Sequence, residues 1–248
     1  MAATVTVILP ALDEADALPA ALADAPLEDP DYRVVVVDNG SVDGTGDVAR
    51  SLGAEVISEP VRGFGQACWA GVLAAEGSRV VAFMDADATL SWEDLRRVVA
   101  PVVEGRADLV LGRRARNLRQ PGAMPRHVAV ANAVLAWQCR RLAGVGVHDV
   151  GPLRAVDRDA LLALGLRDRT YGWPLEMVLR AGQAGLVVTE VDVGYRIRVG
   201  TSKVTGRPWP TIKAVSRMTG VLLRHRFGRP RADQRPTSHP GPDEKTAR

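Results

Sequence analysis

The sequence predicts an α/β fold with a mostly parallel sheet covered by helices on both faces, and three observations carry that prediction. Runs rich in β-branched residues recur at Thr4–Leu9, Arg33–Val37 and Arg79–Met84, each continuous enough in apolar character for a strand buried on both sides. Segments with helical spacing, opened by turn residues, separate them, so strand and helix alternate. The last run stops abruptly at two carboxylates, Asp85 and Asp87. In an open parallel sheet, ligands bind at the loops that leave the carboxyl ends of strands, which makes this edge the expected site.

In order along the chain, Thr4–Leu9 is the first strand, closed by Pro10, and Asp13 can cap a helix reaching about Ala23. Arg33–Val37 is the second strand. It runs into Asp38-Asn39-Gly40-Ser41-Val42-Asp43-Gly44-Thr45, where glycines permit the turn and Ser41 or Asp43 can cap a helix to about Leu52. Asp38 is left at the strand tip, able to accept a hydrogen bond from a base or ribose. A short third strand, Ala54–Ser58, precedes Arg62-Gly63-Phe64-Gly65-Gln66-Ala67, which opens a helix through Ala75 and could present free amides to a phosphate or sugar. After the strand Arg79–Met84, Ser91 and Asp94 resemble a capping box ahead of a helix over Leu95–Val103.

Residues at i and i+2 of a strand point the same way, so Asp85 and Asp87 could hold one hard cation, Mg2+ or Mn2+, and bridge it to diphosphate oxygens. Alone, the pair also reads as an ordinary strand end with Asp87 capping the next turn.

The chain has 248 residues, 46% of them hydrophobic, and a net charge of +3, which suits one large α/β domain with a sizeable core. No window approaches the ~18 consecutive apolar residues of a membrane span, and the N-terminus lacks a basic signal-peptide start, so a cytoplasmic protein is expected. Cys68 and Cys139 stand outside any metal-ligand spacing and read as reduced, buried thiols. The charge is uneven. Seven arginines and no carboxylate lie between Asp108 and Asp149, and ten Lys or Arg residues and no carboxylate between Asp192 and Asp233. Such stretches call for an anionic partner: phosphates, a diphosphate, or an anionic membrane surface that would hold the protein peripherally at the inner face. Nucleic acid is not expected, since no interleaved aromatics or reading motif accompany the basic residues.

The order and spacing of Pro10-Ala-Leu-Asp-Glu14, Val37-Asp-Asn-Gly-Ser-Val-Asp-Gly-Thr45, Arg62-Gly-Phe-Gly-Gln-Ala67, Asp85-Ala-Asp87 and Leu111-Gly-Arg113 resemble the family 2 glycosyltransferases, above all the polyprenyl-phosphate mannosyl- and glucosyltransferases. The likeness covers about residues 4–227. It implies a Rossmann-like GT-A fold, a nucleoside-diphosphate sugar donor and inverting transfer. By position, Pro10, Ala11, Glu14, Asp38, Asn39 and Gly65 would line the donor site, Asp85 and Asp87 would meet the metal and the sugar diphosphate, and Arg113 would approach phosphate. Departures exist: Asp13 stands for the usual Asn, Asn39 for a second aspartate, and Thr89 for a Gln near the metal.

The donor half is expected over about 1–113 and an acceptor half over 114–227, with residues 228–248 a polar, proline-rich disordered tail. In the acceptor half, Asn117–Pro125 reads as a loop, Arg126–Leu142 as a helix with Val128, Leu135 and Trp137 on its apolar side, and Leu186–Val191 as a strand. A helix from Tyr171 to about Ala184 and an amphipathic one over Pro210–Phe227 complete it. Asp149 and Arg154 match a family segment at the acceptor, and Pro152 breaks it. Glu176 matches a carboxylate facing the acceptor, so Asp87, Asp149 and Glu176 form the expected catalytic set. Arg196, Arg198, Ser202 and Lys203 resemble the Arg…Gly-x-Ser-Lys segment that meets acceptor phosphate.

The expected activity is therefore metal-dependent transfer of a sugar from a UDP- or GDP-sugar to a polyprenyl phosphate at the cytoplasmic membrane surface. The alternatives are transfer to a soluble alcohol or natural product, with Glu176 or Asp149 as general base, and a non-enzyme that binds sugar nucleotides or membranes.

Overall fold

In the computed structural model, which describes residues 3–200 and Gly220, seven strands form one sheet in the order β3-β2-β1-β4-β6-β5-β7. The strands are β1 Val5–Ala11, β2 Tyr32–Asp38, β3 Glu55–Ser58, β4 Val80–Phe83, β5 Leu109–Arg119, β6 Arg154–Asp157 and β7 Val188–Tyr195. All pairings are parallel except those of β6, which runs antiparallel to both β4 and β5. The GT-A architecture expected from the sequence is present.

Helices cover both faces. On one side α1 (Leu18–Leu22), α2 (Thr45–Ser51) and α4 (Trp92–Val103) bury Leu18, Ala49, Leu95 and Val98 against Val7, Leu9 and Val36. On the other, α3 (Phe64–Ala74), α5 (Arg126–Ala143), α6 (Arg158–Ala163) and α7 (Trp173–Gln183) bury Val72, Cys139, Leu161 and Met177 against Ile8, Val35 and Val81. Ile8 and Val7 thus serve opposite cores, as the two-residue period of a strand requires. Cys68 and Cys139 are both free and buried, and burial pushes the Cys139 thiol up to about 12, so both are packing residues, inert as nucleophiles.

Four elements differ from the sequence reading. Asp13 does not cap α1: its φ is +52°, a left-handed conformation, and Ala17 occupies the cap position of a helix only five residues long. β5 continues through Asn117 to Arg119, because β7 pairs alongside it as far as Tyr195. Strand β6, Arg-Ala-Val-Asp, was not foreseen; it is too short to carry a pattern. Trp137 is 51% exposed, whereas Ala136 and Cys139 are the buried positions of α5, so the packed stripe of that helix is rotated away from the tryptophan. The capping box is present in altered form: Ser91 Oγ accepts from the Asp94 amide at 3.1 Å and donates to the Asp94 carboxylate at 2.9 Å. Ser202, Lys203, the tail and, apart from Gly220, the segment 210–227 expected as a helix lie outside the described residues.

Candidate active site

The register of the central strands places the site. Ala11 pairs with Asp38, and Ile8 with Phe83, so the ends of β1 and β2 are level and Asp85 leaves the sheet beside Pro10. The two donor loops are laced together. The Asp13 amide donates to Ser41 Oγ at 2.9 Å, the Glu14 amide to Thr45 Oγ1 at 2.8 Å and the Ala15 amide to Asp43 at 3.0 Å, while Asp13 Oδ1 accepts from the Val42 amide at 2.9 Å. This lacing explains the left-handed Asp13: its side chain is turned to the neighbouring loop. Asp38 folds back on its own turn, accepting from the Ser41 amide at 2.9 Å. Its other oxygen sits where α2 begins, 2.9 Å from where a Cβ on Gly46 would stand.

Asp85 and Asp87 differ sharply. Asp87 is 5% exposed and held on both oxygens: Oδ1 accepts from the Thr89 hydroxyl at 2.7 Å and the Thr89 amide at 3.2 Å, and Oδ2 accepts from Arg198 at 3.1 Å. Ala88 between them has φ +63°, a strained turn for a residue with a Cβ, which these bonds stabilise. Among the described residues no hydrogen-bond donor reaches Asp85. Desolvation, then repulsion from Asp87, push its carboxyl up to about 7 against the pull of Arg198, Arg114 and Arg154. An ionisable oxygen pair without donors, beside a second carboxylate, fits a divalent cation. No group of three or more metal-ligating side chains exists among the described residues, so the cation's remaining positions would fall to the substrate's phosphate oxygens and water. That division of ligands is the usual one for Mg2+ on a nucleotide.

Three arginines surround the carboxylates. Arg198, from the segment after β7, bridges Asp87 and Glu14. Arg114 is clamped by Asp149: its amide and Nε donate to Oδ2 at 2.9 Å each, and Nη2 donates to Oδ1 at 2.8 Å, with the guanidinium 5.0 Å over the Tyr195 ring. Arg154 is 2% exposed, donates to the Gly151 and Pro174 carbonyls and lies near enough to Asp85 to act on it electrostatically. Burial depresses Arg154 to about 10, so it stays a cation at neutral pH. The sequence reads Arg114, with Arg116 and Arg119, as part of a mobile basic loop, whereas all three lie on β5 and Arg114 is locked to Asp149; Tyr195 is not expected in the site from the sequence.

Other expected site residues are engaged elsewhere. Asn39 is a staple: its amide group donates to the Glu59 and Val61 carbonyls at 3.0 and 2.8 Å, and its oxygen accepts from the Gly63 amide at 2.7 Å. The amides expected to be free at the start of α3 are not. Gly65 and Gln66 donate to the Thr170 and Arg169 carbonyls at 3.1 and 2.8 Å. A Cβ on Gly63 would stand 2.4 Å from the Arg169 oxygen, so these glycines exist to let that backbone approach, and the phosphate contact inferred for Gly65 loses its basis. Arg113 points away from its neighbour and forms a two-pronged pair with Asp192, at 2.5 and 2.8 Å. Glu176 is 4% exposed; it accepts from the Arg167 and Asp168 amides at 3.0 and 2.7 Å and from Arg180 at 2.8 Å. Those bonds make it the anchor of the loop before α7. The Arg196 amide donates to the Thr89 carbonyl at 2.8 Å, and its side chain lines a cleft of about 600 Å³ with Thr89, Asp94, Arg97, Asn117 and Arg119.

The profile of Glycosyl transferase family 2 matches residues 6–162, more than half of the chain and every strand just described from β1 to β6. The chain belongs to glycosyl transferase family 2. An uncharacterized glycosyltransferase of Mycobacterium tuberculosis is 46% identical to it over 206 residues, 82% of this chain and 90% of that one. A dolichyl-phosphate hexose transferase of Haloferax volcanii is 33% identical over 200 residues, 80% of this chain and 85% of that one. Among solved structures, glucosyl-3-phosphoglycerate synthase from Mycobacterium tuberculosis, in complex with Mn2+, UDP-glucose and phosphoglyceric acid, superposes with a TM-score of 0.68 at 26% identity. It covers 90% of this glycosyltransferase and 79% of the synthase. Further complexes of that synthase hold UDP, or Mn2+ with UDP-glucose and glycerol 3-phosphate.

These complexes correct the acceptor side of the sequence reading. The special kinship with polyprenyl-phosphate transferases, and with it the polyprenyl phosphate acceptor and the anionic membrane surface, gives way to similarity with a glucosyl-3-phosphoglycerate synthase in complex with phosphoglyceric acid. The lipid acceptor rested on the segment from Arg196 to Lys203, of which Ser202 and Lys203 lie outside the described residues, whereas the superposition on the synthase covers 90% of the chain. No described helix is long and apolar enough to cross a membrane. On the donor side, the enzyme assignment stands, and the expected divalent cation has its counterpart in the Mn2+ of the synthase complexes.

Proposed function

We propose that this glycosyltransferase moves a hexose from a UDP-sugar to a hydroxyl of a small, soluble, phosphorylated acceptor in the cytoplasm, with a divalent cation at Asp85 and Asp87. The observation that carries the reading is the likeness, over 90% of the chain, to a synthase holding Mn2+, UDP-glucose and phosphoglyceric acid. A second feature supports the acceptor class. The cleft beside Thr89, about 600 Å³ in volume, carries Arg119 and Arg196 for an acceptor's phosphate, with Arg97 held by Asp94 at 2.8 Å and Glu93 also in its wall.

When bound, the cation supplies Lewis-acid stabilisation of the departing diphosphate. The chain's own residues do the rest. Glu14 and Asp38 lie on the laced donor loops, Asp87 is fixed by Thr89, and Arg198 and Arg114 supply positive charge where the leaving group gathers negative charge. Asp149 and Glu176 act through others: Asp149 holds Arg114, and Glu176 holds the loop that packs on α3.

The donor half of the reading is tested by thermal unfolding with UDP-glucose, GDP-mannose and Mn2+, singly and combined. UDP-glucose with Mn2+ at about 100 times Kd should stabilise the protein by ~2.7 kcal/mol, raising Tm by about 5–10 °C. Stabilisation by the GDP-sugar alone, or none by either sugar, would refute it.

A further inference from the structure

We propose that Arg198 is a built-in counter-ion which holds the site shut to metal until nucleotide arrives, and so couples the binding of the two. The proposal rests on the cation reading of Asp85 and Asp87 and on no particular acceptor.

The geometry is that of a latch. Arg198 Nη1 donates to Asp87 Oδ2 at 3.1 Å and Nη2 to Glu14 Oε1, tying the metal turn to the first donor loop. The segment that carries it is pinned to the same turn by backbone bonds, Arg196 N to Thr89 O at 2.8 Å and Val199 N to Asp87 O at 3.2 Å. Asp87 Oδ1 is taken by Thr89, so the oxygen a cation could share with Asp85 is the one Arg198 holds. Arg198 Nε is buried and without a partner among the described residues. Its present position therefore leaves one donor unsatisfied, a cost that is removed if the guanidinium turns to a ligand rich in acceptor oxygens.

Two consequences follow from the charges. In the nucleotide-free protein an incoming divalent cation must displace Arg198 from Asp87 and meets its repulsion, so the cation binds weakly. A nucleoside diphosphate offers the guanidinium new oxygens in a two-pronged geometry, which frees Asp87 for the cation. Metal and nucleotide then strengthen one another's binding, and by linkage each does so by the same factor. Arg198 therefore has two sets of partners in this account, Asp87 and Glu14 before nucleotide binds and the diphosphate afterwards.

The test is Mn2+ binding, measured by calorimetry or by the spin-resonance signal of free Mn2+, in the presence and absence of UDP. In the unaltered protein UDP should tighten Mn2+ binding about tenfold or more. In Arg198→Gln, Mn2+ affinity without UDP should rise about tenfold while affinity with UDP stays close to the original, so the coupling shrinks by the same factor. Arg198→Lys, which keeps the charge and can hold only one partner firmly, should fall between. It also keeps the experiment decisive if the glutamine protein unfolds, which a thermal melt would reveal. An unchanged or weakened Mn2+ affinity in the nucleotide-free variants would overturn the latch. Failure of Mn2+ to bind the unaltered protein even with UDP would overturn the cation site on which it depends.

Discussion

Asp87→Asn is expected to lower kcat/KM about 10³-fold, ~4 kcal/mol of transition-state stabilisation, with little change in Tm. Asparagine has the same size, and its oxygen can still accept from the Thr89 hydroxyl that now sits 2.7 Å away, so the strained turn at Ala88 keeps its support. What disappears is the negative charge that pairs with Arg198 in the nucleotide-free protein and would hold the cation once it binds. Saturating Mn2+ should not restore the rate. Initial rates of UDP release, read beside a thermal melt, decide the matter: near-normal turnover in the variant would mean that the leaving group is stabilised elsewhere.

Arg114→Met should destabilise the protein by ~3–5 kcal/mol and lower Tm by about 10 °C. The reason is what it leaves behind. Asp149 is 1% exposed, and both of its oxygens accept from Arg114, so removing the guanidinium strands a buried carboxylate. Arg113→Met offers the contrast one residue away. Its pair with Asp192 is about 40% exposed on both sides, and loss of such a pair costs about 0–1 kcal/mol. The double change Arg114→Met with Asp149→Leu should recover most of the loss, because it removes both charges together. Urea midpoints for the four proteins test the ordering. Equal effects for Arg113 and Arg114 would contradict the burial argument.

That contrast also shows where the sequence was legible and where it was not. The donor edge could be read because its logic is local: apolar runs end at Asp38 and Asp85, and strand ends in a parallel sheet gather at one edge. The choice between Arg113 and Arg114 could not. Adjacent residues on a strand face opposite ways, and which one turns inward depends on the register of β5 with β6 and β7. Strand β6 was missed for a related reason, since four residues without alternation become a strand only by fitting between β4 and β5. Gly63 and Gly65 were read as a phosphate loop, yet their partner is the backbone at 168–170, a hundred residues later. Sequence reveals that a glycine is needed; it does not reveal what approaches it.

The acceptor shows the same limit at the level of function. Basic, acid-free stretches suggest an anion, but charge does not distinguish a lipid phosphate from a soluble one. The likeness to a phosphoglycerate-bound synthase favours the soluble class.

The central claim is tested most directly by mass spectrometry of the product formed from UDP-glucose and Mn2+ with phosphoglycerate, glycerol 3-phosphate, glycerate and a polyprenyl phosphate in competition. Addition of one hexose to a phosphorylated three-carbon acceptor, in preference to glycerate, is the predicted result. Hexose found on the polyprenyl phosphate, with none on either small phosphate, would contradict the account.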